Sequence, residues 1–143
     1  MSTSRSASEI AQILRHLGDP GSDPDPQAFD ELLADDIRWQ LMGSGLEYAR
    51  TYSGKAELYG EYMGKLQARL DHSRSRTSTV EVMADDGQGM VTVHNSDDLV
   101  LADGKALKVE VALLMKVTDG KVTEVREFMD LRPVEAAFGA SLA

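Results

Sequence analysis

The sequence has 143 residues, of which 42% are hydrophobic and 27% charged, as expected for one compact domain with a hydrophobic core. Its net charge of −9 argues against nucleic acid or an anionic membrane surface as a partner, because both would repel it. The absence of cysteine excludes disulfides, thiolate nucleophiles and thiolate metal sites, and the cytoplasm is the expected location.

The N-terminal stretch MSTSRSASEI is polar and lacks the apolar core of a signal peptide. No apolar run approaches the roughly 20 residues that a membrane-spanning helix needs. We expect residues 1–7 to be a disordered tail and residues 8–143 to form a single domain. Apolar residues then recur at helical spacing up to Leu17, which predicts a first helix that Ser8 caps and Gly18 ends.

A linker rich in Pro, Gly and Asp separates this helix from the next one. The segment PQAFDELLADD, with Pro26 at a first helical position, predicts a second short helix. The segment DIRWQLM then alternates, with Trp39 on the apolar side, and predicts the first strand. Residues 43–53 are expected to be a loop.

A third helix is predicted from Lys55 to Leu70, where apolar residues, Tyr62 among them, recur at spacings of three and four. Gly60 and Gly64 lie within it although glycine weakens helices, and we interpret them as points where another backbone approaches closely. The helix would present Tyr62 on its apolar face.

The second half of the sequence contains three Asp-Gly pairs, which begin at Asp86, Asp103 and Asp119. Asp-Gly between apolar runs is typical of hairpin turns, so four antiparallel strands in meander order are predicted, and Pro133 begins a short closing helix. Helices followed by a meander indicate an α+β fold. We predict a curved, mostly antiparallel sheet, wrapped around a pocket by the three helices of the N-terminal half.

One acid interrupts the apolar side of the last predicted strand. Glu127 alternates in phase with Val125 and Met129, and the neighbouring strand carries an unbroken apolar row that includes Val109 and Val111. A carboxylate buried without a partner costs several kcal/mol or acquires a raised pKa. Glu127 is therefore the first candidate for a functional acid.

The strand that contains His94 could face inward with either of its two rows. If the row of His94 and Ser96 faces inward, the imidazole and Glu127 form an acid/base pair suited to neutral pH. If the row of Val91 and Val93 faces inward instead, His94 is a surface or dimer-interface residue.

The segments FDELLADDIRW, YSGKAEL and DGKVTEVREFMDLRPVEAAFG resemble those of the small SnoaL-type polyketide cyclases and limonene epoxide hydrolases. These proteins belong to the ketosteroid isomerase and nuclear-transport-factor-like superfamily. The resemblance implies an α+β cone, a homodimer formed through the sheet, and a mostly apolar pocket that holds one or two acids. It also implies a small apolar or polycyclic ligand and no cofactor.

The resemblance places the catalytic acid of cyclases and epoxide hydrolases at Glu127, seven residues after Gly120. The histidine that the cyclases carry two residues earlier is Val125 here. The Arg and Asp of the epoxide hydrolases fall at His94 and Ser96, and their water-binding residues fall near Trp39. The base that ketosteroid isomerases carry at the end of the first strand has no counterpart.

These considerations lead to one set of predicted site residues and two functional hypotheses. Glu127 and His94 are the predicted catalytic residues, and Tyr62 is the first candidate for an oxyanion donor. The predicted substrate contacts are Trp39, Tyr62, Ser96, Val109, Val111, Val125 and Met129. No metal site is predicted. The first hypothesis is an enzyme of the isomerase, cyclase or hydrolase type, and the alternative is a non-catalytic ligand-binding or accessory protein of the same fold.

Overall fold

The computed structural model describes residues 4–19 and 25–142, which form helices on one side of a six-stranded sheet. The helices are α1 (Ala7–Leu17), α2 (Pro26–Leu32), α3 (Lys55–Glu57), a π-helical segment (Leu58–Met63), α4 (Gly64–Ala68) and α5 (Leu131–Phe138). The strands are β1 (Leu33–Leu41), β2 (Thr51–Ser53), β3 (Arg76–Asp85), β4 (Met90–Val100), β5 (Ala106–Thr118) and β6 (Lys121–Met129).

The sheet is open and has the order β2-β1-β6-β5-β4-β3. β3 to β6 form the predicted antiparallel meander, and among the described strands only β1 and β6 pair in parallel. The α+β class and the mostly antiparallel sheet are therefore confirmed. The parallel pair matters for function, because it puts the first long strand beside the last one.

Helix α1 begins earlier than predicted because Ser6, not Ser8, is its N-cap. The Ser6 hydroxyl accepts a hydrogen bond from the Glu9 amide, and the Glu9 carboxylate accepts one from the Ser6 amide, which is a capping box. Ala7 is helical and 3% exposed, so it does not belong to a disordered tail. Residues 1–3 of the predicted tail and residues 20–24 of the predicted linker lie outside the described residues.

Helix α2 is shorter than predicted, because the chain enters β1 at Leu33. Leu33 is buried and pairs with Val122 of β6, so pairing in the sheet prevails over the helical pattern of the sequence. The segment predicted as a loop contains the short strand β2, which pairs Tyr52 with Trp39.

The predicted third helix is confirmed as a helical run over residues 55–68, but its middle is a π-helix rather than an α-helix. At the end of this segment the Gly64 amide donates to the Tyr59 carbonyl five residues earlier. A Cβ at position 64 would lie 2.4 Å from that oxygen. Gly64 therefore permits a close approach within its own helix rather than to another element.

The tight turn between β5 and β6 fixes the register of the last strand. Asp119 and Gly120 both have positive φ, of 51° and 78°, as in the two-residue type I′ turn that Asp-Gly favours. After β6, the Asp130 side chain caps α5 by accepting a bond from the Arg132 amide, so α5 begins at Leu131 rather than at Pro133.

The buried side chains form one cluster between the helices and the inner face of the sheet. α1 packs on β3 and β4, and α5 packs on β5. Within residues 4–19 and 25–142, no helix is long and apolar enough to cross a membrane.

Candidate active site

Glu127 is the buried charged residue at the centre of the site. It is 8% exposed and lies on the inner face of β6, as alternation with Val125 and Met129 predicted. The Trp39 indole Nε1 donates a hydrogen bond to Glu127 Oε1 at 2.9 Å, and the Tyr62 hydroxyl donates to the same oxygen at 2.7 Å. Among the described residues, Oε2 accepts no hydrogen bond, so one oxygen is anchored and the other is not.

Three elements bring these groups together. In the parallel pair of β1 and β6, Leu41 lies beside Glu127, and Trp39 comes two residues earlier on the same face. The π-helical segment buries Tyr62, whose ring stacks on Tyr52 with the centroids 4.9 Å apart and the planes 12° apart. The stacking fixes the direction of the Tyr62 hydroxyl.

Burial dominates the electrostatics of Glu127. Desolvation raises its pKa, the hydrogen bonds from Trp39 and Tyr62 oppose that rise, and the charge of Asp97 adds to it. The pKa of Tyr62 is also raised, by burial and by the neighbouring Glu127, so the phenol stays a neutral donor. Burial is the largest of these influences, so the Glu127 carboxyl group has a raised pKa and binds a proton more readily than an exposed glutamate does.

A cavity of about 60 Å³ adjoins this carboxyl group. Two acids, Asp97 and Glu127, line it together with three aromatic side chains, Tyr48, Tyr62 and Phe138. The other lining residues are leucine, valine or methionine. The cavity is therefore apolar apart from its carboxyl and phenol groups.

Asp97 is the functional candidate that sequence reasoning missed. The sequence offers an Asp97-Asp98 pair at the end of a polar run, which resembles a turn or a strand end. In the structure Asp97 pairs with Val109, whose side chain is buried on the inner face, so Asp97 points inward and Asp98 outward. The alternation Val91, Val93, Asp97 would have revealed this, once the inward row of the strand was known.

One oxygen of the Asp97 carboxyl group lacks a hydrogen-bond donor among the described residues. Burial raises its pKa to about 6, although the Thr77 hydroxyl favours the ionised form. Its Oδ1 is inaccessible to water and has no hydrogen-bond partner among the described residues. Buried polar atoms are normally hydrogen-bonded. Binding of a proton or a nearby cation would therefore stabilise this oxygen.

His94 and Ser96 lie on the opposite face of the sheet, and the prediction that His94 partners Glu127 is wrong. His94 Nε2 lies 2.8 Å from Glu110 Oε2, and the Ser96 hydroxyl donates to the same carboxylate at 3.3 Å. The physical reason is that Val91 and Val93 occupy the inward row of β4, where they are almost fully buried. The partners of Glu127 are Trp39 and Tyr62 instead.

The other predicted contact residues divide into three groups. Tyr62, Val109 and Met129 line the cavity. Trp39 lies behind Glu127 as its hydrogen-bond donor. Val111 and Val125 are buried in the core and do not line this cavity.

A larger hollow of about 340 Å³ lies between α1, α2 and the sheet, where Phe29 and Asn95 line it. Glu127 and Asp97 do not line it, so both acids belong to the smaller cavity. No group of three or more His, Asp or Glu side chains in the described part of the chain is placed to hold a metal ion.

The sequence matches the family model of the SnoaL-like domain over residues 22–125. This span contains Trp39, Tyr62 and Asp97, and it ends two residues before Glu127. A search of curated protein sequences gives no significant match.

Three solved structures show the same fold. An NTF2-like protein from Burkholderia thailandensis is 22% identical with a TM-score of 0.72, and the match covers 94% of this chain and 98% of that one. A Jannaschia protein, provisionally assigned as a SnoaL-like polyketide cyclase, is 18% identical with a TM-score of 0.70, and 98% of each chain is covered. A protein from Catenulispora acidiphila with a ketosteroid isomerase-like fold, solved in complex with trimethylamine, is 15% identical with a TM-score of 0.66, covering 92% of this chain and 95% of that one.

Proposed function

Because the chain belongs to the SnoaL-like domain family, we propose that it is a cofactor-independent enzyme that moves a proton on a small, largely apolar molecule. The isomerase, cyclase and hydrolase reactions predicted from the sequence all need such a step. The observation that carries the proposal is the buried Glu127, which is anchored through Oε1 and lines a cavity with its other oxygen free of partners among the described residues. The cytoplasm stays the predicted location.

Each group around Glu127 has a defined part in this chemistry. Oε2 of the ionised carboxyl group accepts a proton from the substrate, for example from a carbon beside a carbonyl, and later returns it. Burial strengthens Glu127 as a base, because it raises the pKa of the carboxyl group. Trp39 and Tyr62 hold the group in place through Oε1, so Tyr62 positions the acid and does not serve as the oxyanion donor predicted from the sequence.

The size of the cavity favours a compact substrate. Pockets for drug-sized ligands measure roughly 300–1,000 Å³, far above the 60 Å³ adjoining Glu127. A polycyclic molecule, which the resemblance implied, would enter only if the helices moved away from the sheet. We therefore restrict the proposal to small substrates with one reacting centre.

A second candidate function is binding without catalysis, and one observation favours it. The family's usual partner for the acid is absent, since Val125 stands where the cyclases have histidine. In a binding protein, Glu127 would hold a donor group of the ligand through Oε2 and would transfer no proton.

Deuterium exchange tests the proposal without knowledge of the substrate. Small ketones and enones are incubated with the protein in D₂O, and the loss of the proton beside the carbonyl is followed by NMR. We expect the wild type to accelerate exchange, and Glu127→Gln to reduce the acceleration by about 100-fold or more, since general-base catalysis contributes roughly 10²–10⁴-fold. The amide oxygen of the introduced glutamine can still accept both hydrogen bonds, so the fold should persist.

Glu124→Gln is the matched control, because Glu124 is an acid on the same strand that does not line the cavity. It should leave the exchange rate unchanged. Undiminished exchange in Glu127→Gln would refute the proposal. If the ketones or enones bind to the wild type but it does not accelerate their exchange, the second candidate function, binding without catalysis, is correct.

A further inference from the structure

The cavity beside Glu127 is lined by two acids and, within the described residues, by no basic side chain. Its lining includes two carboxyl groups and three aromatic rings, but no Lys, Arg or His among the described residues. The Arg69 guanidinium lies over the ring of Phe138, 5.3 Å from its centroid, but Arg69 does not line the cavity. A ligand that enters the cavity therefore meets two acids, and no described Lys, Arg or His lines the wall beside them.

The two acids are supported differently. Glu127 receives two strong hydrogen bonds from within the protein. Asp97 has an oxygen that has lost contact with water without gaining a donor from the described residues. A positive charge in the cavity would offset this deficit even without touching Oδ1, because Coulomb attraction is strong where water is excluded.

The aromatic rings of the cavity suit the same kind of ligand. Ammonium groups are attracted to the faces of Tyr, Trp and Phe, and aromatic cages bind alkylated ammonium ions. Tyr48 and Tyr62 contribute rings here, and leucine and valine side chains can cover the alkyl groups. The protein's net charge of −9 would also attract cations from solution.

We propose that the cavity binds a compact alkylammonium group, with Asp97 as its counter-ion and Glu127 left to transfer the proton. The role of Glu127 in this scheme rests on the proposed function, whereas the role of Asp97 does not. The cavity holds about two water volumes, so the ammonium carries one or two carbon atoms. The substrate class is then a small amine whose charged end is fixed by Asp97.

Calorimetric titration with methylammonium chloride tests the inference, and methanol, which has the same number of heavy atoms, serves as a neutral probe of similar shape. The measurement is made at pH 8, above the pKa of about 6 of Asp97, and in about 0.15 M salt, which screens non-specific attraction to an acidic protein. We expect methylammonium to bind and methanol not to bind. Asp97→Asn should weaken binding by about tenfold or more, since it removes an ion-pair partner.

Asp98→Asn is the matched control, because Asp98 is the next residue and faces away from the cavity. It removes the same charge and should change the affinity by less than about twofold, since an exposed charge is screened by salt. Val109→Phe fills the cavity without changing any charge and should abolish binding, which tests the location independently of Asp97→Asn.

The inference is overturned if methylammonium does not bind, if methanol binds equally well, or if the two Asp variants weaken binding equally. These outcomes are separate from those of the exchange assay. Amine binding combined with unchanged exchange in Glu127→Gln would refute the proposed function alone. Glu127-dependent exchange without amine binding would refute the ammonium site alone.

Discussion

Asp97 and Glu127 share one cavity, but the protein stabilises them to different degrees. Glu127 is the more deeply buried, and Trp39 and Tyr62 compensate part of its desolvation. Asp97 has no comparable pair of donors among the described residues, and burial is the main influence on its pKa. An ionised Asp97 therefore destabilises the folded protein, and this energetic penalty is what a bound cation would relieve.

The pH dependence of stability should reveal the penalty at Asp97. Its pKa is raised from 3.8 to about 6 on folding, so the folded state binds the proton more tightly, and stability falls as pH rises through this interval. Asp97→Asn removes the penalty. At pH 8 the variant should exceed the wild type in free energy of unfolding by up to about 3 kcal/mol, and at pH 4 by much less.

Urea unfolding at the two pH values measures this difference. Asp98→Asn should show no comparable pH-dependent gain. An equal effect of Asp97→Asn at pH 4 and pH 8 would mean that Asp97 does not titrate in this interval.

The sequence identified Glu127 and missed Asp97 for a physical reason. On β6, apolar neighbours two residues before and after Glu127 mark its face without ambiguity. On β4, polar residues occur in both rows, and only pairing with β5 decides which row is buried. The same ambiguity led to the wrong partner for Glu127, because His94 and Asp97 lie on opposite faces of one strand.

Among the elements, the π-helical segment has the most direct effect on the site. It ends at Met63, directly before Gly64, and it buries Leu58 and Tyr62 together. Inserted π turns are often found at functional sites, where they redirect a side chain. Here the redirected side chain is Tyr62, which reaches Glu127.

Substitution of the two glycines in this helix should have opposite effects. Gly64→Ala places a Cβ 2.4 Å from the Tyr59 oxygen and should destabilise the protein by about 1–3 kcal/mol. Gly60→Ala meets nothing within 4 Å and should stabilise the protein by about 0.5–1 kcal/mol. Thermal unfolding of both variants measures the difference, and stabilisation by Gly64→Ala would contradict the close approach.

Periodicity predicted the existence of the helices and long strands, but not their exact form. Hydrophobic spacing of three and four residues fits both an α-helix and a short π insertion, so the position of Tyr62 could not be derived from it. The strand β2 was also missed, since three residues are too few for a visible alternation.

At the scale of the whole molecule, the outer face of the sheet carries apolar side chains. Phe128 is 37% exposed, and Met83 is 55% exposed on the edge strand. His94 and Ala112 lie in the same cross-strand row as Phe128. The homodimer expected from the resemblance would cover this face and leave the cavity on the helical side accessible.

Phe128→Glu tests the dimer, because it places a charge at the centre of this face. Light scattering after size exclusion should give twice 15.6 kDa for the wild type and 15.6 kDa for the variant. Gln67→Glu is the control. It adds the same charge at an exposed position of α4, away from the sheet, and should leave the dimer intact. A monomeric wild type would refute the expectation.

The parallel pairing of β1 with β6 has a consequence for how the protein is made. Trp39 and Glu127 are 88 residues apart in the chain, so a ribosome completes β1 long before the strand that covers it exists. Until then, one edge of β1 remains unpaired, and an unpaired edge is where nascent chains aggregate. The strand that carries the acid of the site is thus also the strand whose late synthesis pairs the exposed edge of β1, so the site and the sheet are completed at the same moment.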